Sequence, residues 1–211
     1  MDPRIFNKMK KVLSKMITKQ VISYDADSSS NTNGEVVLSF NAPSSDFVAE
    51  LGSNPTISCY LIGMSEDVKR RASESHRSTM NAAKTIRTIH SEPRFIDLSY
   101  MLTVWYKDKQ GSPEVEHLIL GYLVSGLGRF DYIPEEFLAE EEMDLSPFGI
   151  ALKLFGNEHS DKINGQIWQA MGSTPKPCLM LSVSIPVDVN EVVRIPIVQE
   201  IEKALDKNEQ A

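Results

Sequence analysis

The stretch "PRFIDLSYMLTVWYKD", residues 93–108, decides the fold, because its side chains alternate with a period of two. One side is apolar along its whole length: Ile96, Leu98, Tyr100, Leu102, Val104 and Tyr106. The other side mixes apolar and polar residues: Phe95, Asp97, Ser99, Met101, Thr103 and Trp105. The pattern predicts a strand with one face in the core and a second face covered by helices or by something outside the chain.

Composition sets the broad class of the protein. The 211 residues are 41% hydrophobic and 24% charged, as in an ordinary globular domain with a useful core. The net charge of −7 argues against general nucleic-acid binding, which depends on neutralising phosphates. Cys59 and Cys178 are too few for a disulfide scaffold, and we expect reduced core residues. No apolar run approaches the roughly 20 residues of a membrane span, so we expect no membrane partner and assembly in the cytoplasm.

Hydrophobic spacing predicts the regular elements. Helices are expected at 3–20, 113–128 and 160–171, and strands at 35–40, 55–63, 95–106, 148–155 and 178–187. Adjacent strand pairs allow antiparallel pairing, while helices join other strands. The predicted fold class is therefore α+β (α/β-like), with a mixed, largely antiparallel sheet of about four to five strands packed with helices.

Three segments are less regular. Residues 65–92 lack a clean strand period and form a long excursion, whose middle at 78–90 is open between a helical turn and a β-hairpin arm. The acidic connection 132–144 favours a short helix after Pro134. We predict one domain over 1–187, followed by a C-terminal arm at 188–211 that has a strand at 192–197 and docks on a neighbouring subunit.

The search for catalytic chemistry is negative. The sequence has no G-x-S-x-G elbow, Walker lysine loop, H-E-x-x-H or paired C-x-x-C. The four histidines are scattered: His76, His90, His117 and His159. Glu114 and His117 share a helical face, but a solvated pair is the better interpretation. Asp97 is expected to form an ion pair with Arg94 or with a basic residue of 69–87. We therefore predict no enzyme, no metal and no cofactor.

Two charge blocks of opposite sign stand out. The acidic block follows Pro134: Glu135, Glu136, Glu140, Glu141, Glu142 and Asp144. The basic block combines the first helix with the excursion: Arg4, Lys8, Lys10, Lys11, Lys15, Lys19, Lys69, Arg70, Arg71, Arg77, Lys84 and Arg87. The hypothesis is that the two blocks pair between copies of the protein and set their register.

Several stretches together resemble a known family. They include "VVLSF-NAP", "PTISCYLIGMSEDVKRR", the "DLSY-LTVW" strand, the E-H-L-x-L-G helix after it, and "IWQAMG…KPCLMLSVSIPV". In this order they resemble the N-terminal domain of the cap, or tail-terminator, proteins of phage-tail-like contractile injection systems of the virulence-cassette and antifeeding-prophage type. The resemblance spans roughly residues 5–187 and rests on structural patterns.

The resemblance implies a structural role. The expected assembly is a homo-hexamer on the distal end of the inner tube and sheath, which stops polymerisation, ties the last sheath layer to the tube, and becomes part of the released particle. Helices 3–20 and 113–128 would cover the two-sided central strand, and a free sheet edge would accept an extended arm of the sheath. The predicted interface residues are Trp105, Tyr106, Phe130, Tyr132, Arg70, Arg71, Glu140, Glu141 and Glu142.

Three other interpretations stay open at this point. The first is a neck or baseplate adaptor of a contractile tail, which would also form rings. The second is a small cytoplasmic metal-dependent hydrolase that uses Asp97, His90 or His117. The third is a monomeric binding domain that recruits an effector.

Overall fold

The computed structural model describes residues 4–22, 36–73, 77–90, 93–107, 112–143, 148–155, 165–187 and 193–196. The helices are α1 (Ile5–Ile17), α2 (Ser45–Glu50), α3 (Val68–Ser73), α4 (Ser112–Leu127), α5 (Glu135–Ala139) and α6 (Gly165–Met171), and α1 continues into a π-helical turn at Thr18–Ile22. The strands are β1 (Val37–Ser39), β2 (Thr56–Glu66), β3 (Arg77–Met80), β4 (Ile86–His90), β5 (Arg94–Trp105), β6 (Ala151–Leu154), β7 (Cys178–Val187) and β8 (Val193–Pro196). Within the described ranges, no helix has the length and apolar character to cross a bilayer.

The main sheet has five strands in the order β1-β2-β5-β7-β6. The long strand β5 lies at its centre and pairs antiparallel with β2 on one side and β7 on the other. β6 adds antiparallel to β7, and only β1 runs parallel to its neighbour. This arrangement confirms the predicted α+β class with a mixed, largely antiparallel sheet.

The first face of the sheet carries the main core. Leu98 and Leu102 of β5 are fully buried there, in one cluster with residues of α1 and α4 such as Leu13 and Leu123. The two helices approach closely, because a Cβ on Gly126 of α4 would lie only 2.7 Å from the carbonyl oxygen of Gln20. The predicted apolar side of the central strand is therefore confirmed as the core face.

The second face is covered differently from the prediction. Helices 3–20 and 113–128 were expected to cover both faces, but α1 and α4 pack side by side on the first face alone. The short helices α2 and α6 cover one end of the second face, where Trp105, Trp168 and Met101 form a separate apolar cluster. An apolar stripe identifies the buried side of a helix but not the sheet face that buries it, which explains the error.

The excursion is more regular than expected. β2 continues to Glu66 past a register shift between Leu61 and Gly63, and α3 follows. β3 and β4 then pair antiparallel, which confirms the β-hairpin alternative. The strand predicted at 192–197 is confirmed as β8, which pairs with β4 and completes a second sheet of order β3-β4-β8. Residues 188–192 and 197–211 of the predicted arm and 160–164 of the predicted helix lie outside the described residues.

Arg70 ties the excursion to the second face of the main sheet. Its side chain is buried, and its guanidinium donates to the carbonyl oxygens of Ser184 at 2.7 Å, Phe148 at 2.7 Å and Gly149 at 3.2 Å. The guanidinium carbon also lies 4.2 Å from the ring centroid of Phe95. These bonds, with the positive φ of 65° at Gly149, divert the backbone, so the strand predicted at 148–155 begins only at Ala151.

We predict that Arg70→Met lowers the free energy of unfolding by about 2–4 kcal/mol, because it leaves buried carbonyl oxygens without their charged donor. The matched control is Arg71→Met, which removes an exposed ion pair with Glu66 at 3.0 Å and should cost no more than about 1 kcal/mol. Urea unfolding followed by circular dichroism measures both. Equal losses in the two variants would contradict the structural role of Arg70.

Candidate functional site

The predicted contact aromatics differ widely in exposure. Trp105 is 4% exposed, and its indole N–H donates to Thr103 Oγ1 at 2.8 Å, so its side chain serves the fold and offers little surface to another molecule. Tyr106 and Phe130 are half-buried, and Phe130 packs against the main core. Tyr132 is 49% exposed and is the most accessible of the four.

The two arginines predicted to make contacts also differ in exposure. Arg70 is 6% exposed and bonded inside the chain, so its surface available for contact is small. Arg71 is exposed and pairs with Glu66 at the end of β2. The proposed contact roles of Arg71, Tyr106, Phe130 and Tyr132 stay predictions.

The acidic and basic blocks meet within one chain. Phe137 and Leu138 of α5 are buried in the core, and this packing brings the acidic run against the exposed side of α1. The contacts are Lys11–Glu141 at 3.4 Å, Lys15–Glu141 at 2.7 Å, Lys15–Glu140 at 2.9 Å, Lys19–Glu136 at 3.1 Å, and Lys8 Nζ to the Glu142 carbonyl oxygen at 3.3 Å. Glu140 and Glu141 thus have partners on α1 of their own chain, and their pairing between copies stays a hypothesis.

The sequence contains a signal for these ion pairs between α1 and the acidic run. Lys11, Lys15 and Lys19 recur every four residues, which places them on one line along α1 and the π-helical turn. A line of like charges on one helix is unfavourable unless an opposite block lies beside it. The spacing therefore favours an acidic partner within reach, although it cannot say that α5 supplies it.

The ion pairs shift the titration of their members in opposite directions. The hydrogen bond from Lys15 lowers the pKa of Glu141, and the same bond together with the one to Glu140 raises the pKa of Lys15. A lowered carboxyl pKa means that the contribution of the pair is present above the ordinary pKa of glutamate and is lost as the pH falls through the lowered value. The pair therefore stabilises α1 against α5 at neutral pH and weakens in acid.

The two edges of the main sheet are not equivalent. At the β6 edge, residues 131–133 already pair with the side of the strand that faces away from β7. The Ile133 N–H donates to the Ile150 oxygen at 2.9 Å, and the Leu152 N–H donates to the Asp131 oxygen at 2.8 Å. At β1, the edge borders an open cleft of about 1010 Å³. The cleft is lined by Leu38 to Asn41, by the basic side of α1 and by Glu140 to Glu142. Within the part of the chain that the structure describes, β1 is thus the more open edge.

A polar cleft of about 560 Å³ lies on the second face, between Asp97 and Ser99 of β5 and the start of α3. Asp97 lines it and accepts hydrogen bonds from the hydroxyls of Ser182 and Ser99. The ion pair expected for Asp97 with Arg94 is wrong, because Arg94 is three positions away on a strand and points to the opposite face. Two exposed apolar side chains, Val68 at 62% and Phe155 at 57%, border the cleft.

The candidate catalytic residues are not brought together. Asp97 lies on the second face, whereas His117 is exposed on α4, which packs on the first face. His90 ends β4 in the small sheet, while His76 and His159 lie outside the described residues. Cys59 is fully buried, and burial raises the pKa of its thiol, which opposes nucleophilic use. Among the described residues, no three His, Cys, Asp or Glu side chains cluster as metal ligands would.

The chain matches one sequence family, and its fold is similar to that of two solved structures. The sequence profile of the family described as the Pvc16 N-terminal domain matches residues 9–200. The fold is similar to the PVC sheath/tube terminator of an extracellular contractile injection system, with 15% identity and a TM-score of 0.55 over 97% of this chain. It is also similar to the tube-terminating cap of the anti-feeding prophage, with 14% identity and a TM-score of 0.53 over 93% of this chain.

These likenesses define the fold and the extent of the match. The chain covers 64% of the PVC terminator chain and 60% of the prophage cap chain, which is less than two thirds of either. No curated protein sequence matches the chain significantly. The recognised resemblance and the fold class are confirmed by these comparisons.

We predict that Lys15 and Glu141 are energetically coupled. In a double-mutant cycle, Lys15→Met and Glu141→Gln should each lower the melting temperature, and the double variant should lose less than the sum of the two. The coupling should shrink with added salt and vanish as the pH falls through the lowered pKa of Glu141. The control pairs Lys15→Met with Glu135→Gln. Glu135 is an exposed residue of α5, so the changes in melting temperature caused by these two substitutions should add. Full additivity for Lys15 and Glu141 at neutral pH would contradict the coupling.

Proposed function

The chain belongs to the Pvc16 N-terminal domain family, and we propose that it is the terminator, or cap, of a contractile injection system. Six copies form a ring on the distal end of the inner tube and sheath, stop the polymerisation of both, and hold the last sheath layer to the tube. The observation that carries the proposal is the fold that nearly the whole chain has in common with a sheath/tube terminator and a tube-terminating cap. Assembly takes place in the cytoplasm, and the ring leaves with the particle.

A main sheet whose β1 edge is open among the described residues supports this role. Val37 N–H donates to the Pro55 oxygen at 2.8 Å, so Val37 faces β2 and the backbone groups of Leu38 face the open side of β1. An extended arm of the last sheath subunit can add there as a further strand, with main-chain hydrogen bonds for affinity. The basic side of α1 in the adjoining cleft favours an arm that carries acidic residues.

Exposed apolar side chains support contacts between copies. Val68 and Phe155 flank the polar cleft of the second face, and Tyr132 is exposed beside β6. A few apolar anchors within a polar rim are typical of protein interfaces. Six copies can close into a ring only if each contact joins two different surfaces of the chain. We assign these side chains to such contacts, together with Tyr106, Phe130 and Arg71.

The competing functions differ in how the chain would be used. A neck or baseplate adaptor would use the same surfaces at another level of the tail. A metal-dependent hydrolase would need Asp97 and His117 at one centre, and their positions on opposite faces of the sheet give no support to it. A monomeric binding domain would not self-associate.

We predict that the purified chain forms a particle of six times its 23.6 kDa mass with a central hole, either alone or when tube and sheath subunits are added. Native mass spectrometry and negative-stain imaging measure this. On assembled tails, a labelled chain should appear at the end far from the baseplate; a label at the baseplate or along the neck would indicate an adaptor instead. A strict monomer that never binds tail ends would contradict the proposal.

A further inference from the structure

The small sheet β3-β4-β8 presents an unusually exposed surface. Every side chain from Ser78 to Arg87 is exposed, including the apolar Met80 at 58% and Ile86 at 40%. Three-stranded sheets normally depend on an apolar face that packs against something else. Exposed apolar side chains on this sheet are therefore suited to burial in a contact with another molecule.

The same sheet is positively charged within an acidic chain. Its strands and turn include Lys84, Arg87 and Arg194, all exposed, and residues 77–90 and 193–196 contain no aspartate or glutamate. The whole chain has a net charge of −7. Such a local excess of the minority charge indicates an electrostatic contact with an acidic surface.

The tip of the hairpin is held in a defined conformation. Asn81 Oδ1 accepts hydrogen bonds from the backbone N–H groups of Thr85 at 2.8 Å and Ile86 at 3.0 Å, while its Nδ2 donates to Thr85 Oγ1 at 2.8 Å. Lys84 has a positive φ of 55° within this turn. A turn fixed by its own side chain loses little freedom when it binds, which favours a contact surface.

Three exposed carboxylates and one exposed lysine lie at the other end of the central strand, which leaves that end net negative. The base of the hairpin adjoins the start of β5, because His90 is only four positions before Arg94. At the far end of β5, Lys107 Nζ donates to the carbonyl oxygens of Ala49 and Leu51 and so lies beside α2. There α2 exposes Asp46 and Glu50, and α4 exposes Glu114 in its first turn. The 12 residues of β5 place about 40 Å between its two ends.

We propose that the β3-β4-β8 sheet of one copy docks on the α2 end of the next copy, with Lys84 and Arg87 facing Asp46 and Glu50. The inference rests on the proposed ring and names a contact that builds it. The two surfaces carry opposite charge and lie at opposite ends of one strand. When they meet between neighbouring copies, they provide the head-to-tail contact that a closed ring requires. A nucleic acid is the less favoured occupant, because few basic residues line the sheet and the chain as a whole is acidic.

The experiment uses two complementary charge-reversed forms of the full chain. The first is Lys84→Glu with Arg87→Glu, and the second is Asp46→Lys with Glu50→Lys. Each form alone should lose the ring in native mass spectrometry, since like charges meet at every contact. An equal mixture of the two forms should recover the ring. When the forms alternate around six positions, each contact joins either two reversed surfaces or two unchanged surfaces, so opposite charges meet at every contact. The control is Lys84→Arg with Arg87→Lys, which keeps the positive charge of both exposed positions and should keep the ring.

The outcomes separate this contact from the ring itself. If the form with Lys84→Glu and Arg87→Glu still forms rings like those of the wild-type chain, the assigned sheet contact is wrong, while the proposed ring is unaffected. Loss in both single forms without recovery in the mixture would overturn the pairing with α2. Loss in the charge-conserving control as well would show that ring loss does not report the reversed charge, and it would also count against the contact. A wild-type chain that never assembles with itself would overturn the ring and the contact together.

Discussion

Burial of the first face of β5 is the constraint on which the rest of the structure depends. Leu98 and Leu102 are fully buried between two antiparallel neighbours and the layer formed by α1 and α4. Burying an aliphatic side chain of this size contributes about 1.5–3 kcal/mol relative to exposure. The long helices lie on one face, and among the described residues the second face is covered by short helices, by Arg70 and by the residues that border an open polar cleft. The surfaces available for contact therefore lie on the second face, at the β1 edge and on the small sheet.

This organisation suits a protein that acts through its surfaces. Charged groups of the described residues are mostly used to fix one element against another: Arg70 fixes the excursion to β7, and the lysines of α1 fix α5. Asp97, the one carboxylate on the central strand, is bonded to serine hydroxyls rather than to a histidine. These pairings suit a rigid building block that holds its shape while it contacts identical copies and a filament end. The proposed terminator role requires that rigidity and no covalent chemistry.

The sequence predicted the features that depend on local periodicity. Alternation identified the core face of β5, helical spacing identified α1 and α4, and Pro134 marked the start of α5. The features it could not predict depend on contacts far apart in the chain. Nothing near Arg70 indicates that it reaches the carbonyl oxygens of Phe148 and Ser184, and the stripe of α4 does not say which sheet face will bury it. The pairing of the two charge blocks within one chain was missed for the same reason, although the spacing of Lys11, Lys15 and Lys19 contained a usable signal.

The most direct test of a terminator is the length of tails assembled in cells that lack the chain. A ring that closes the distal end should give tails of uniform length when the chain is present. Without it, imaging of purified particles should show tubes and sheaths of irregular length with open distal ends, and re-expression of the chain should restore uniform, closed tails. Finished tails of normal length and normal ends in cells that lack the chain would contradict the account.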